Sequence, residues 1–263
     1  LEKYLYRNLI LDPSAVPFPD FLGIGAQKAG TSWLHENLQT HPDLFLPEEK
    51  ELHYFDWNFD RRITWYSSRF RQAENRVKGE ITPGYSIIST DRIHDVYVFN
   101  PDMKLIFLMR NPIDRAWSQA RMNLVRFTDR SFEEVPRSEF YEHFNASRSV
   151  ERGDYQKILA KWTSVFSEDQ IYIDFFGRIS EDPKGLLSDV FRFLDVTTEV
   201  DWDNFPFNEV VFANPSRDMP DEFRHFLEDF YEEDIRELHE AYGGQATRWL
   251  HSLSGEAAEI HDD

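Results

Sequence analysis

The apolar run Phe21-Leu22-Gly23-Ile24-Gly25 leads through a short loop with a second glycine, Gly30, into residues 31–39, where Trp33, Leu34 and Leu38 recur at helical spacing. A continuous apolar run without polar alternation suits a strand covered on both faces. A strand that passes through a glycine loop straight into a helix opens a βα unit. The pattern recurs at Lys104-Leu105-Ile106-Phe107-Leu108-Met109, the clearest strand in the chain, bounded by Pro101-Asp102 and Asn111-Pro112, with residues 114–125 reading as the next helix. Residues 155–166 are amphipathic at helical spacing, 171–175 form a further strand, and helices over 183–194 and 220–242 complete the pattern. Strands alternating with helices predict an α/β fold with a central parallel sheet flanked by helices.

With no internal repeat, low-complexity tract or linker, residues 1–263 are expected to form one domain. Residues 1–20, holding Pro13, Pro17 and Pro19, read as an irregular lead-in, and 254–263 as a frayed tail. Hydrophobic residues make up 41% of the chain, enough for a packed core, so disorder of the whole chain is excluded. No apolar run approaches the roughly 18 residues of a membrane span. The chain opens on Leu1 rather than Met and carries no charged-then-apolar leader, as expected of a mature, trimmed or excised segment.

The formal net charge of −19 argues against nonspecific nucleic-acid or anionic-membrane binding, both of which need a basic face. A local cluster of Lys, Arg and backbone N–H groups can still hold a phosphorylated ligand against that field. Zero cysteines remove disulfides, thiolate catalysis and thiolate metal sites, and fit the cytoplasm as the expected compartment. The nine histidines form no H-E-x-x-H or comparable ligand pattern, so no metal is expected.

Gly25-Ala26-Gln27-Lys28-Ala29-Gly30-Thr31-Ser32 lies where backbone N–H groups and a helix N-terminus can cradle an anion. Nucleotide triphosphatases follow the second glycine with Lys and then Ser or Thr. Here Thr31 follows Gly30 directly, and the lysine stands inside the loop at Lys28. The 104–109 strand is followed by Arg110 rather than by a magnesium-holding Asp. The loop suits a phosphate whose charge is met by Lys and Arg directly. An ordinary strand-to-helix turn is the alternative, because short glycine patterns recur by chance.

Gln27-Lys28-Ala29-Gly30-Thr31-Ser32 resembles the 5′-phosphosulfate loop of sulfotransferases that use 3′-phosphoadenosine-5′-phosphosulfate (PAPS), and Leu108-Met109-Arg110-Asn111-Pro112 with Arg115-Ala116-Trp117-Ser118 resembles their 3′-phosphate motif. Lys50-Glu51-Leu52-His53-Tyr54-Phe55 is similar to the Lys-Glu-x-His-Phe-Phe stretch of the heparan-sulfate-type branch. Gly79-Glu80-Ile81-Thr82-Pro83 resembles that branch's Glu-Lys-Thr-Pro segment, and Arg152-Gly153-Asp154-Tyr155 its Gly-x-Tyr helix start. The five pieces run in family order over roughly residues 20–195. The resemblance extends to bacterial sulfotransferases, including domains of polyketide and olefin synthases, and implies a P-loop NTPase-like sulfotransferase fold.

The resemblance implies roles residue by residue. Lys28 would stabilise the leaving oxygen; Gln27, Ala29, Gly30, Thr31 and Ser32 would line the 5′-phosphate; Trp33 would stack on adenine or else belong to the core. Arg110 and Ser118 would hold the 3′-phosphate, with Tyr155 and, in the Asn214-Pro215-Ser216-Arg217 stretch, Arg217 as further donor contacts. A structural pairing with a carboxylate is the alternative for Arg110. Glu51 is the implied general base, in a run that by itself reads as a solvated turn, and His53 is the second candidate because its unperturbed pKa lies nearer neutrality. On a strand the two would share a face. Tyr54, Phe55, Trp57, Trp65 and Tyr66 would wall an acceptor site or pack a lobe.

Two departures bear on the acceptor. Ile81 stands where the heparan-type enzymes have a lysine, and their cysteine-bridged loop is absent, which weakens the case for a sulfated polysaccharide. The expected reaction moves a sulfuryl group from PAPS to a hydroxyl of a carbohydrate or small metabolite and releases adenosine 3′,5′-bisphosphate. The alternative acceptor is a β-hydroxyacyl chain on an acyl carrier protein. A kinase-like nucleotide-binding module or a non-catalytic binding protein using the same loop is the alternative of another class.

Overall fold

The structure is a computed structural model and describes residues 17–209 and 218–253, so Arg217 and the tail over 254–263 lie outside the described residues. In chain order the elements are β1 (Phe21–Gly25), α1 (Thr31–Thr40), β2 (Leu44–Phe45), α2 (Ile63–Ser68), β3 (Val77–Ile81), α3 (Thr90–Phe99), β4 (Lys104–Met109), α4 (Pro112–Arg121), α5 (Arg137–Asn145), α6 (Ser147–Gly153), α7 (Tyr155–Thr163), β5 (Ile171–Phe175), α8 (Arg178–Glu181), α9 (Pro183–Phe193), α10 (Asp221–Tyr242) and α11 (Gly244–Leu253). They fall into two compact units, Leu1–Met109 with Leu159–Ala213, and Arg110–Ile158 with Asn214–Asp263.

The first unit holds the sheet, whose described strands run parallel in the order β2-β3-β1-β4-β5. β1 is buried along its whole length and β4 from Leu105 onward, as expected of strands covered on both faces. β1 and β4 are neighbours, in register from Phe21↔Lys104 to Gly23↔Ile106, with a one-residue shift before Gly25↔Phe107. The chain leaves β1 toward β2 on one side of the sheet and leaves β4 toward β5 on the other. Such a reversal opens a crevice at the carboxyl ends of the two strands, where α/β sheets bind ligands.

Sequence reading missed β3, because Lys78, Gly79 and Glu80 interrupt its apolar pattern. The fold accommodates each. Lys78 pairs with Asp20 at 2.9 Å, the missing Cβ of Gly79 leaves room for the Phe21 ring, and Glu80 is buried among hydrogen-bond donors.

The second unit packs α4, α5 and α10 around Trp117, Phe140, Phe144, Phe223, Leu227 and Tyr231. α4 begins two residues before the expected Asp114. Asn111 caps it by accepting the Ile113 N–H at 2.9 Å, and Pro112 occupies the first turn, where its missing donor costs nothing. A π-helical turn over Met122–Arg126 follows α4.

Candidate active site

The loop between β1 and α1 is built from the strand upward. The Ala26 N–H donates to Leu108 O at 2.9 Å, so its first residue is pinned to β4. Lys28 (φ 72°) and Gly30 (φ 79°) both take the left-handed conformation, which folds the chain back to start α1. At Gly30 a Cβ would collide with Ile179 and Phe176, so the position is closed to other residues. Gly30 is also the N-cap of α1 and offers no side-chain acceptor, so the first-turn N–H groups keep their capacity for an outside anion. The Gln27 carboxamide oxygen is buried without a hydrogen-bond partner and, as an acceptor, adds nothing to the hold on an anion. The donor set therefore fits a phosphate-bearing ligand, with Lys28 inside the loop to meet its charge.

From the first turn of α1 a chain of polar contacts runs to the candidate base. Lys50 Nζ donates to Ser32 Oγ at 2.7 Å and to Glu51 Oε1 at 3.1 Å. His53 Nε2 stands 3.4 Å from Glu51 Oε2, and its Nδ1 lies 2.8 Å from Asp56 Oδ2. Glu51 and His53 do meet, but not as residues of one strand face. Each has a left-handed backbone (φ 61° and 51°), so the segment winds and turns both side chains to one place.

Burial pushes the Glu51 carboxyl up, but the hydrogen bond with His53 and the Lys50 ammonium outweigh it and hold the group at about 2. Burial pushes His53 down, yet its bonds with Asp56 and Glu51 raise it to about 9. At neutral pH His53 is therefore a cation with no lone pair to take a proton, and Glu51 is the member of the pair able to accept one. Held at about 2, however, it is a weak base.

Glu80 fixes the segment from below. This carboxyl, 1% exposed, accepts from Thr82 Oγ1 at 2.6 Å, from the Tyr66 and Tyr85 hydroxyls at 2.8 Å each, and from the Leu52 N–H at 3.3 Å. Burial raises its pKa against those bonds. Tyr54 and Phe55 are buried, with Tyr54 stacked on Tyr66 at 4.3 Å, and so pack the lobe. Trp57 differs: 66% exposed, it lies flat on the His53 ring at 3.7 Å. Trp65 lies beneath Arg61 at 4.4 Å.

Trp33 is 4% exposed, with its indole N–H donating to Phe207 O at 2.9 Å. Ala29 is fully buried and contributes backbone. In the second unit the Tyr155 hydroxyl donates to Arg110 O at 2.7 Å, fixing the backbone that carries Arg110, and Ser118 is half-buried on α4. Burial lowers the Arg110 pKa. Three polar residues at this site had no assigned role from sequence: Lys50, Asp56 and Glu80. Asp56 had a local signal, standing three residues beyond His53. Glu80 stood in the segment that resembles the family's Glu-Lys-Thr-Pro motif, but nothing local told a buried carboxylate from a solvated one.

A profile of the sulfotransferase domain family matches residues 18–262. The chain belongs to that family. It is 28% identical over 210 residues to human heparan sulfate glucosamine 3-O-sulfotransferase 3A1, a match covering 76% of this chain and 50% of the relative. The chain thus spans about half the length of the curated relatives it matches. In fold it is similar to a sulfotransferase from Alicyclobacillus acidocaldarius, with a TM-score of 0.64 at 24% identity, covering 92% of this chain and 98% of that one. It is also similar to mouse sulfotransferase SULT7A1 complexed with PAP, with a TM-score of 0.57 at 14% identity and 95% of each chain covered. The expected α/β sulfotransferase fold is the one found. No helix among the described residues is long and apolar enough to cross a membrane.

Proposed function

We propose that this chain is a PAPS-dependent sulfotransferase that moves a sulfuryl group to a hydroxyl of a carbohydrate or small metabolite. The observation that carries the reading is the unbroken polar chain from Ser32, on the first turn of the anion loop's helix, through Lys50 to Glu51, His53 and Asp56. It joins a phosphate cradle to an ionised carboxylate, and group transfer to a hydroxyl needs both. Family membership supplies the donor class. In the transfer the acceptor O–H gives its proton to Glu51 and its oxygen bonds to sulfur. The bond from sulfur to the bridging oxygen breaks, and the charge left on that oxygen is met by Lys28. Arg110 and Ser118 keep the 3′-phosphate roles implied by their motif, and no step requires a metal.

A carbohydrate acceptor is favoured by the likeness to a heparan sulfate sulfotransferase and by Trp57, whose exposed ring beside His53 offers an apolar face next to the base. Ligand sites combine such faces with a few placed polar groups. The test is incubation with 35S-labelled PAPS and a panel of neutral and sulfated saccharides, small hydroxylated metabolites and a β-hydroxyacyl carrier protein. Label in a saccharide or metabolite, lost in Glu51→Gln and Lys28→Ala and indifferent to chelator, is expected. Label in the carrier arm alone would move the acceptor assignment, and no release of adenosine 3′,5′-bisphosphate in any arm would overturn the reading.

A further inference from the structure

We propose that Lys50 couples occupancy of the anion loop to the strength of the base, so that Glu51 becomes an effective proton acceptor once the donor's phosphosulfate is bound. This rests on the sulfotransferase reading above and adds to it a residue whose action passes through Glu51.

Lys50 Nζ is shared between a neutral acceptor, Ser32 Oγ at 2.7 Å, and a charged one, Glu51 Oε1 at 3.1 Å. Ser32 is the second residue of α1, so its own N–H is among those without an intrahelical acceptor, and an anion seated on this helix end lies against it. A phosphosulfate oxygen there is a charged acceptor and competes for the ammonium on better terms than a hydroxyl does. The lysine stem is four carbons long with rotatable bonds, so a change of rotamer would carry the ammonium toward such an anion.

The surroundings permit that exchange. From α1, His35 faces the pair; it is 5% exposed, its Nδ1 has no partner, and burial and the Lys50 charge keep it neutral. On the Glu51 side stand His53 and, behind it, Asp56. With Lys50 withdrawn, Glu51 retains the His53 contact but loses one of the two cations that hold it down. The acceptor proton then moves to a stronger base as the acceptor oxygen bonds to sulfur. Before loading, Lys50 and His53 together keep Glu51 too weak to activate a hydroxyl with no sulfuryl group to receive it.

The test is a 13C-NMR titration of the Glu51 carboxyl, assigned with Glu51→Gln, from about pH 7 to about pH 3, with and without saturating adenosine 3′,5′-bisphosphate. The ligand-free wild type is expected to stay ionised across that range, whereas the bisphosphate-bound form begins to protonate within it, a rise of about one unit or more. Lys50→Met is expected to start higher and to respond much less to the ligand. Ser32→Ala, which removes one hydroxyl and leaves the lysine wholly to Glu51, is expected to start no higher than wild type. A bound bisphosphate that leaves Glu51 unmoved, or moves it equally in Lys50→Met, would overturn the coupling while leaving the donor site standing. Absence of bisphosphate binding, read from its calorimetric heat, would overturn the donor reading itself and the coupling with it.

Discussion

The Tyr85 hydroxyl donates to Glu80 Oε1 at 2.8 Å and accepts the Tyr54 N–H at 2.7 Å, so a buried carboxylate on β3 fixes the backbone that carries Glu51 and His53. That segment has no regular secondary structure of its own, and its left-handed residues need an outside template. Tyr85→Phe removes both bonds and a longer one from the Phe55 N–H at 3.4 Å, and leaves buried N–H groups and part of a carboxylate unsatisfied. The expected cost is about 1–3 kcal/mol in urea denaturation. Turnover is expected to fall more than affinity for adenosine 3′,5′-bisphosphate, because the loop after β1 is held by β4 instead. Equal losses in both would show that Tyr85 supports the fold alone.

His53 and Glu51 predict opposite limbs of a stability profile. The folded-state pKa of His53 is raised, so its contribution is complete below about 6.5 and is lost as pH rises through about 9. That of Glu51 is depressed, so its contribution is present above about 4.5 and is lost as pH falls toward about 2. The difference in melting temperature between wild type and His53→Gln is therefore expected to shrink between about pH 6 and about pH 10. A constant difference across that range would contradict the assignment of a charged His53.

Asp56 is the partner that holds His53 from the other ring nitrogen. In Asp56→Asn the His53 midpoint, followed by NMR of the ring carbons, is expected to drop from about 9 toward the unperturbed value. An unchanged midpoint would assign the shift to Glu51 alone.

Gly30→Ala places a methyl group against Ile179 and Phe176 at a left-handed position. Strain of about 1–2 kcal/mol is expected in thermal or denaturant unfolding, together with loss of bisphosphate binding. Normal binding with normal stability would show that the loop tolerates side chains and is not shaped around a ligand.

β1 and β4 were legible in the sequence at their observed bounds because parallel strands buried on both faces are written as near-continuous apolar runs, and β5, half-buried at the end of the strand order and carrying Asp174, from its branched and aromatic residues. β3 was not, since its Gly79 answers a ring on the neighbouring strand and its Glu80 answers donors brought from Tyr66, Thr82 and Tyr85. Both reasons lie in tertiary packing. At the site, the glycine loop and Glu51 with His53 were visible as motifs. Their electrostatics were not: the pull of Lys50 and His53 on Glu51, and of Asp56 on His53, depends on left-handed turns at Glu51 and His53 that no local pattern announces. Trp33, open to two roles in sequence, is buried with its indole N–H bonded to Phe207 O.

The central claim, that the loop after β1 belongs to a donor site for a 3′,5′-bisphosphorylated nucleotide, is tested most directly by calorimetric titration with adenosine 3′,5′-bisphosphate, with ATP in parallel, on wild type, Lys28→Ala and Arg110→Ala. Binding of the bisphosphate without metal, weakened about 10- to 100-fold in Arg110→Ala through loss of a charged hydrogen-bond donor, is the predicted result. Preference for ATP with magnesium, or no binding of the bisphosphate at all, would contradict it.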